Sequence, residues 1–335
     1  MTIEELESAS DQSMPLDFTR HALQLPELSI REMFYPLGFP MELRTNSVEI
    51  VSQACGLWSI FEKRFDTKPI RVEVHVVEGD SVECPPAPVF RIALPLLINI
   101  ADTGNYSIMD LEQNTTQVTL SRATLRHRRY LDYFLLGNAP LSHIATRYAT
   151  PVHAGCVARN GRGVLLCGDS GAGKSSLSYA CGRAGWTYVT DDASYLLNEG
   201  TGHLVTGNCH QVRFRPTAAD LFSELEDLEI TPRAAGKPSI EMPTVALPRM
   251  ICAQTAHVDF LVFLNRRDQG PPMLAPYRKD VARHFMRQVL YGLPESLAAQ
   301  YAALERLLTV EVFELRYRDL DWAVDRLEML TREGR

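Results

Sequence analysis

Val164-Leu165-Leu166-Cys167-Gly168-Asp169-Ser170-Gly171-Ala172-Gly173-Lys174-Ser175 decides how this chain is read. Its last eight residues set two glycines around four residues and follow them with Lys and Ser, the pattern of a phosphate-binding loop. Glycines let successive backbone N–H groups point into one hollow, and a helix N-terminus beneath adds partial positive charge. In such a loop Lys174 reaches the outer phosphates and the Ser175 hydroxyl ligates magnesium. Residues Gly168, Asp169, Ser170, Gly171, Ala172, Gly173, Lys174, Ser175 and Ser176 are therefore the candidate nucleotide-binding set.

The flanks support this reading. The four apolar residues before Gly168 suit a buried strand, and Leu177, Ala180, Cys181 and Ala184 recur at helical spacing up to a stop at Gly185. A second short strand, Trp186-Thr187-Tyr188-Val189-Thr190, ends in Asp191-Asp192. Parallel strands of such a unit end on one edge of the sheet, so the acid pair is expected to face the bound phosphates. Two carboxylates at that place need a cation to offset their repulsion.

Moving upstream, Val152 to Ala158 and Gly163 to Cys167 read as two strands joined through Asn160-Gly161, a strong hairpin signal. Downstream come short strand-like segments at residues 194–198, 203–206 and 209–214. This order is unlike the regular strand-helix alternation of common nucleotide kinases and implies an antiparallel component. Residues 232–248 carry four prolines and a glycine, so they read as a surface loop over the active edge. Val258-Asp259-Phe260-Leu261-Val262-Phe263-Leu264 reads as a central strand. Helices follow over 279–291 and 295–308, then a strand over 310–315 and an amphipathic helix over 319–330. Arg213, Arg215, Arg233 and Lys237 are candidates for a further cation near the phosphates.

The first half reads differently. Residues 1–30 are polar and acidic and are expected to form a mobile leader. Residues 31–150 are expected to form an α+β domain: strands at 39–43, 70–76, 89–94, 106–111 and 116–121, with a helix from Asn46-Ser47 through Phe65. The basic run Arg122 to Tyr130 fits one helix with Leu125, Leu131 and Phe134 inward and its arginines in water. A second helix over 141–148 leads to Pro151, where the domain covering 151–335 begins.

Composition narrows the function. The chain has 335 residues, is 45% hydrophobic and 22% charged, and carries a formal net charge of −7; that length can bury two cores. The acidic balance argues against nucleic acid as a partner. No apolar run is long enough to cross a bilayer, and Met1-Thr2-Ile3-Glu4-Glu5 is acidic where a signal peptide is basic, so no membrane is expected and the cytoplasm is the expected location. The seven cysteines contain no Cys-x-x-Cys pair and read as buried free thiols.

Residues 153–197, with His153, the 168–175 loop, the short helix and Thr190-Asp191-Asp192, resemble the catalytic domain of bacterial HPr serine kinase/phosphorylase. They are similar, more distantly, to the nucleotide core of ATP-dependent phosphoenolpyruvate carboxykinase. The resemblance implies a P-loop kinase domain with a mixed sheet, ATP and Mg2+ as cofactors, and transfer of the γ-phosphate to a hydroxyl, serine in those kinases. It implies catalytic roles for Asp191 as base, Lys174 and His153, and metal ligation by Ser175 and Asp192. Two features depart from it. Ser176 stands where those kinases carry Glu, and the Arg- and Gly-rich segment tied to the reverse reaction is missing, so neither phosphorylase activity nor HPr as target follows. The acceptor is a protein, peptide or small molecule, chosen by the first half or by the loop around Lys237; homo-oligomerisation stays open. The alternative is a nucleotide-binding switch with little or no transfer. Carboxykinase chemistry is disfavoured by the shorter chain and the lack of a matched set of substrate-binding arginines.

Overall fold

The computed structural model describes residues 25–79, 83–200, 202–231, 238–247, 250–267 and 269–333. These divide into two compact units, one up to Arg147 and one from Tyr148 onward. Most of the expected leader, and Arg233 and Lys237, lie outside the described residues; the rest of the expected surface loop over 232–248 is corrected, since Ser239–Pro243 form a strand and Thr244–Ala246 a 3-10 turn. No helix among the described residues is long and apolar enough to cross a membrane.

In the first unit the alternation of Ile70-Arg71-Val72-Glu73-Val74 makes a strand with one face in the core. It sits in a seven-stranded mixed sheet among the described residues: β1 (Ile30–Phe34), β2 (Met41–Thr45), β3 (Ile70–Val77), β4 (Val89–Ala93), β5 (Leu96–Asp102), β6 (Asn105–Asp110) and β7 (Thr115–Ser121), in the order β1-β2-β3-β7-β6-β5-β4. β2, β3 and β7 run parallel, and the remaining pairs are antiparallel. Helix α1 (Val48–Trp58) buries Ile50, Ala54 and Trp58. It stops short of the expected Phe65: the Ser59 hydroxyl donates to the Cys55 carbonyl at 2.7 Å, and Phe65 instead stacks on Phe39 with its N–H on the Gly38 carbonyl. β5 was not expected, because Pro95 interrupts the apolar run that contains it.

The single helix expected over the basic run is corrected to a chain of short turns. Arg122–Arg126 is a 3-10 turn, His127 leaves helical geometry at φ −100°, ψ 63°, and wide π turns follow at Leu131–Leu136 and Ile144–Tyr148. Two causes are visible. Arg122, Arg126 and Arg129 would share one face of a continuous helix and repel. Pro140 lacks an N–H, and the turn before it widens so that Gly137 N–H reaches the Asp132 carbonyl at 2.8 Å, where any Cβ on Gly137 would collide. The arginines do face water, as expected.

The second unit is built on β9 (Ala154–Arg159), β10 (Arg162–Cys167) and α2 (Lys174–Arg183), followed by β11 (Thr187–Thr190). Asn160 at φ 55° and Gly161 at φ 75° close the β9–β10 hairpin, both in the left-handed region that such a turn requires. The main sheet continues through β18 (Thr255–Arg266) and β20 (Glu311–Tyr317), parallel to β10, with β17 (Ile251–Cys252) parallel to β11 and β19 (Met273–Pro276) antiparallel to β20, while β9 is antiparallel to both β10 and β11. At the start of β18 the sheet branches antiparallel through β13 (Leu204–Gly207) and β12 (Ser194–Leu197) to β8 (Ala149–Val152). A separate three-stranded sheet joins β14 (Gln211–Phe214), β16 (Ser239–Pro243) and β15 (Ile230–Thr231).

β10 is apolar on both faces because both are covered. Val164 and Leu166 pack with Leu177 of α2 and Leu327 of α5 (Leu320–Glu333). Leu165 and Cys167 face Met286 of α3 (Lys279–Arg287) and Leu304 of α4 (Pro294–Leu307). The result is a three-layer mixed α/β unit. All seven cysteines are free, but only four are buried; Cys55, Cys84 and Cys252 are exposed.

Candidate active site

Strand direction assembles the site. β11 is antiparallel to β9 and so runs with β10, β18 and β20; the carboxyl ends of these four strands and the amino end of β9 lie on one edge. The loop 168–173 leaves β10 there, Asp191-Asp192 follow β11, and His153 immediately precedes β9. Two consecutive parallel strands were expected; β9 lies between them, and that is what carries His153 to the loop.

The loop needs its glycines. Gly168, Gly171 and Gly173 have φ of 150°, 93° and 100°, in the region where a Cβ is disfavoured. A Cβ on Gly173 would also lie 2.5 Å from the buried Tyr317 Oη. Gly173 is the N-cap of α2, so Lys174 and Ser175 open the helix.

Lys174 is 5% exposed, and its three donors are all engaged. Nζ donates to the carbonyls of Gly168 at 2.8 Å and Asp169 at 3.2 Å and lies 2.8 Å from His153 Nε2. An ammonium can only donate, so Nε2 accepts and His153 carries its proton on Nδ1. That nitrogen faces Asp192 Oδ1 at 3.5 Å, and Asp192 Oδ1 is 3.9 Å from Lys174 Nζ. Burial lowers the Lys174 pKa, against the nearby carboxylates. Burial, then the Lys174 charge, lowers that of His153 and keeps the ring neutral near pH 7.

The two acids occupy different settings. Asp191 is buried: Oδ2 accepts from Arg213 N–H at 3.1 Å and Oδ1 faces the Tyr188 hydroxyl at 3.2 Å, while the nearby Ser175 side chain works to lower its pKa. Burial raises its pKa in spite of these donors. The Asp192 side chain is 61% exposed. Gly155 lets this corner close, since a Cβ there would meet Ser178 Oγ at 2.5 Å and the Asp191 carbonyl at 3.1 Å.

A cleft of about 430 Å³ runs along the edge, lined by His153, Ser170, Gly171, Gly173, Lys174, Ser175, Ser176, Asp191 and Asp192. Of the residues singled out from sequence, Gly168, Asp169 and Ala172 are not on its wall. The first two present carbonyls to Lys174, and Ala172 packs against the core. Arg213 and Arg215 line the cleft as well, as does Arg266, which sequence reading missed. Tyr188 and Tyr317 were also missed. Arg266 and Tyr317 close β18 and β20, so their signal was position at the carboxyl end of a parallel strand. Ser175, Asp191 and Asp192 offer hard oxygen donors, suited to Mg2+, which takes one or two carboxylates and completes its shell with phosphate and water. No group of three or more His, Cys, Asp or Glu side chains poised to hold a metal occurs among the described residues.

Fold and site thus define a mixed α/β protein with a glycine-rich loop, a buried lysine, a histidine and two acids at one sheet edge. No family model matches the chain, and no curated protein matches it. Among solved structures it is similar to the HPr(Ser) kinase/phosphatase from Coxiella burnetii, at 16% identity and a TM-score of 0.31, covering 55% of this chain and 95% of that one. A likeness of that size assigns no activity.

Proposed function

We propose that this protein is an ATP-dependent phosphotransferase of the HPr-kinase type, moving the γ-phosphate of ATP to a hydroxyl of a protein, peptide or small molecule. The observation that carries the reading is Lys174, a buried ammonium held by loop carbonyls and His153 beside Asp192. Phosphoryl transfer asks for positioned positive charge more than for covalent chemistry, and an ammonium in a desolvated place is worth more than one in water.

In this reading the backbone of residues 168–175 holds the β- and γ-phosphates, with Lys174 on the outer oxygens and Ser176 beside them. Magnesium, when bound, neutralises charge on the phosphates. The resemblance implied Asp191 as base and Asp192 at the metal; the environments favour the reverse. Asp191 is buried and lines the cleft beside Ser175, as a metal-side acid should, whereas exposed Asp192 can meet an acceptor hydroxyl and take its proton. His153, proton on Nδ1, orients Asp192. A base in that role contributes about 10²- to 10⁴-fold. The cytoplasm is the proposed location.

The test is incubation with γ-labelled ATP, Mg2+ and a lysate of the source cell, followed by identification of the labelled acceptor. Nucleotide binding with no labelled product rejects the kinase. It would leave the switch, which Ser176 favours by supplying a hydroxyl where a carboxylate would sit next to the metal.

A further inference from the structure

We infer that Arg215 recognises the outermost phosphate and so lets the site tell a nucleoside triphosphate from a diphosphate. The inference rests on the proposed function for the identity of the anion.

Of the four cations singled out by sequence, Arg213 and Arg215 are described. The Arg213 guanidinium turns to Glu241, Nε to Oε1 3.4 Å, while its backbone N–H serves Asp191. Arg215 reaches the loop itself: its Nη2 donates to Ser170 Oγ at 3.0 Å. Among the described residues no carboxylate lies within ion-pair distance of it. Ser170 adjoins Asp169, whose carbonyl together with that of Gly168 holds Lys174. Arg215 therefore sits at the end of the loop where the lysine meets the outer phosphates. A serine hydroxyl is a neutral partner. A phosphate oxygen offers charge-assisted bonds of about twice the strength and matches the planar guanidinium two-to-two.

The arginine is also held in place. Phe214, 2% exposed, packs edge-on against Tyr179 with ring centroids 5.0 Å apart. Pro216 begins a 3-10 turn in which Ala218 N–H donates to the Arg215 carbonyl at 2.9 Å. The Tyr179 hydroxyl donates to Glu224 at 2.9 Å, and Arg183 pairs with Glu224 at 3.1 Å. Tyr179 and Arg183 belong to α2, the helix that opens with Lys174. One rigid element thus fixes both cations.

The test compares dissociation constants of ATP and ADP, each with Mg2+, for the full chain, Arg215→Ala and Arg215→Lys. Because Arg215 is exposed, the thermal midpoint should stay put and report an intact fold. Arg215→Ala should weaken ATP by roughly 10- to 100-fold and ADP by no more than about 2-fold, from the strength of hydrogen bonds to charged groups. Arg215→Lys should fall between, since it keeps the charge and loses the fork. Equal weakening of both nucleotides, or no change for ATP, overturns the inference. A wild-type chain that binds neither nucleotide overturns it together with the proposed function. If the wild type binds both but transfers no label, only the kinase reading fails, and the ATP-to-ADP ratio still decides the role of Arg215.

Discussion

Gly173→Ala should be costly, and Tyr317→Phe should give part of that cost back. Gly173 adopts φ 100°, ψ 15° as the N-cap of α2, and an L-residue in left-handed geometry costs about 1–2 kcal/mol. The new Cβ would sit 2.5 Å from Tyr317 Oη. Tyr317 is 2% exposed, so the ring has little room to yield, and overpacking of this kind costs about 1–3 kcal/mol. The unfolded chain loses freedom with alanine, which offsets about 0.4–1 kcal/mol. A net loss of about 1–4.5 kcal/mol lowers the melting temperature of a unit this size by roughly 2–18 °C. Tyr317→Phe alone removes a long 3.4 Å contact to the Ala172 carbonyl, worth no more than about 1 kcal/mol. In the double variant the nearest ring atom, Tyr317 Cζ, stands at 3.8 Å, an ordinary contact. The overlap then vanishes while the backbone strain stays. A double-mutant cycle by calorimetry should show a favourable coupling of about 1–3 kcal/mol. Additive effects, or an unshifted midpoint in Gly173→Ala, would refute the claim that this glycine is required by the approach of Tyr317.

Lys174→Ala should abolish nucleotide-dependent activity, and full turnover in that variant would remove the loop from the mechanism. Asp192→Asn should keep nucleotide binding and lose about 10²- to 10⁴-fold in transfer, whereas Asp191→Asn should first weaken Mg2+-dependent binding; the opposite pattern restores Asp191 as base. In the first unit, burial holds the pKa of His143 down to about 4, against about 6.5 in an unfolded chain. Between those values the unfolded state binds a proton that the folded state does not. Stability is therefore full above pH 6.5 and falls by about 3 kcal/mol as pH drops toward 4. Denaturation midpoints of wild type and His143→Gln over that range should converge at low pH; parallel curves contradict the assignment.

Local signals carried much of the second unit. The loop, the Asn160-Gly161 hairpin, the β18 run and the terminal helices each rest on residues adjacent in sequence, and periodicity reads adjacency well. What escaped depends on partners far away. β5 hides behind Pro95, and its alternation has meaning only once β4 and β6 flank it. The basic run has helical composition, yet like charges and Pro140 break it into turns, an outcome that no propensity count weighs correctly. In the site, Asp191-Asp192 were legible as a pair, but their division of environment was not. Burial of Asp191 arises from Tyr188, from the backbone of Arg213 and from the close pass at Gly155, three places that the sequence does not connect.

That division bears on how the site must work. If both acids were exposed, each could trade roles, and the order within the pair would carry no consequence. Because Asp191 is buried against the Tyr188 hydroxyl and the Arg213 N–H while Asp192 faces the cleft beside Lys174 and His153, the pair has a dry member held by β11 and β14 and a wet member beside the histidine. Lys174 has no idle donor in this arrangement. An arriving phosphate must therefore displace a loop carbonyl or His153 from the ammonium. A phosphate oxygen is a stronger acceptor for that charge than a neutral carbonyl or imidazole; the carbonyls are fixed in the loop backbone, whereas the His153 side chain can turn, so His153 is the partner expected to yield. Once free of the lysine, His153 would keep Nδ1 facing Asp192, the acid proposed to take the acceptor's proton. On the proposed reading, nucleotide binding would ready the histidine and the exposed acid together, and nucleotide before acceptor is the expected order, which initial-rate kinetics with both substrates varied would check.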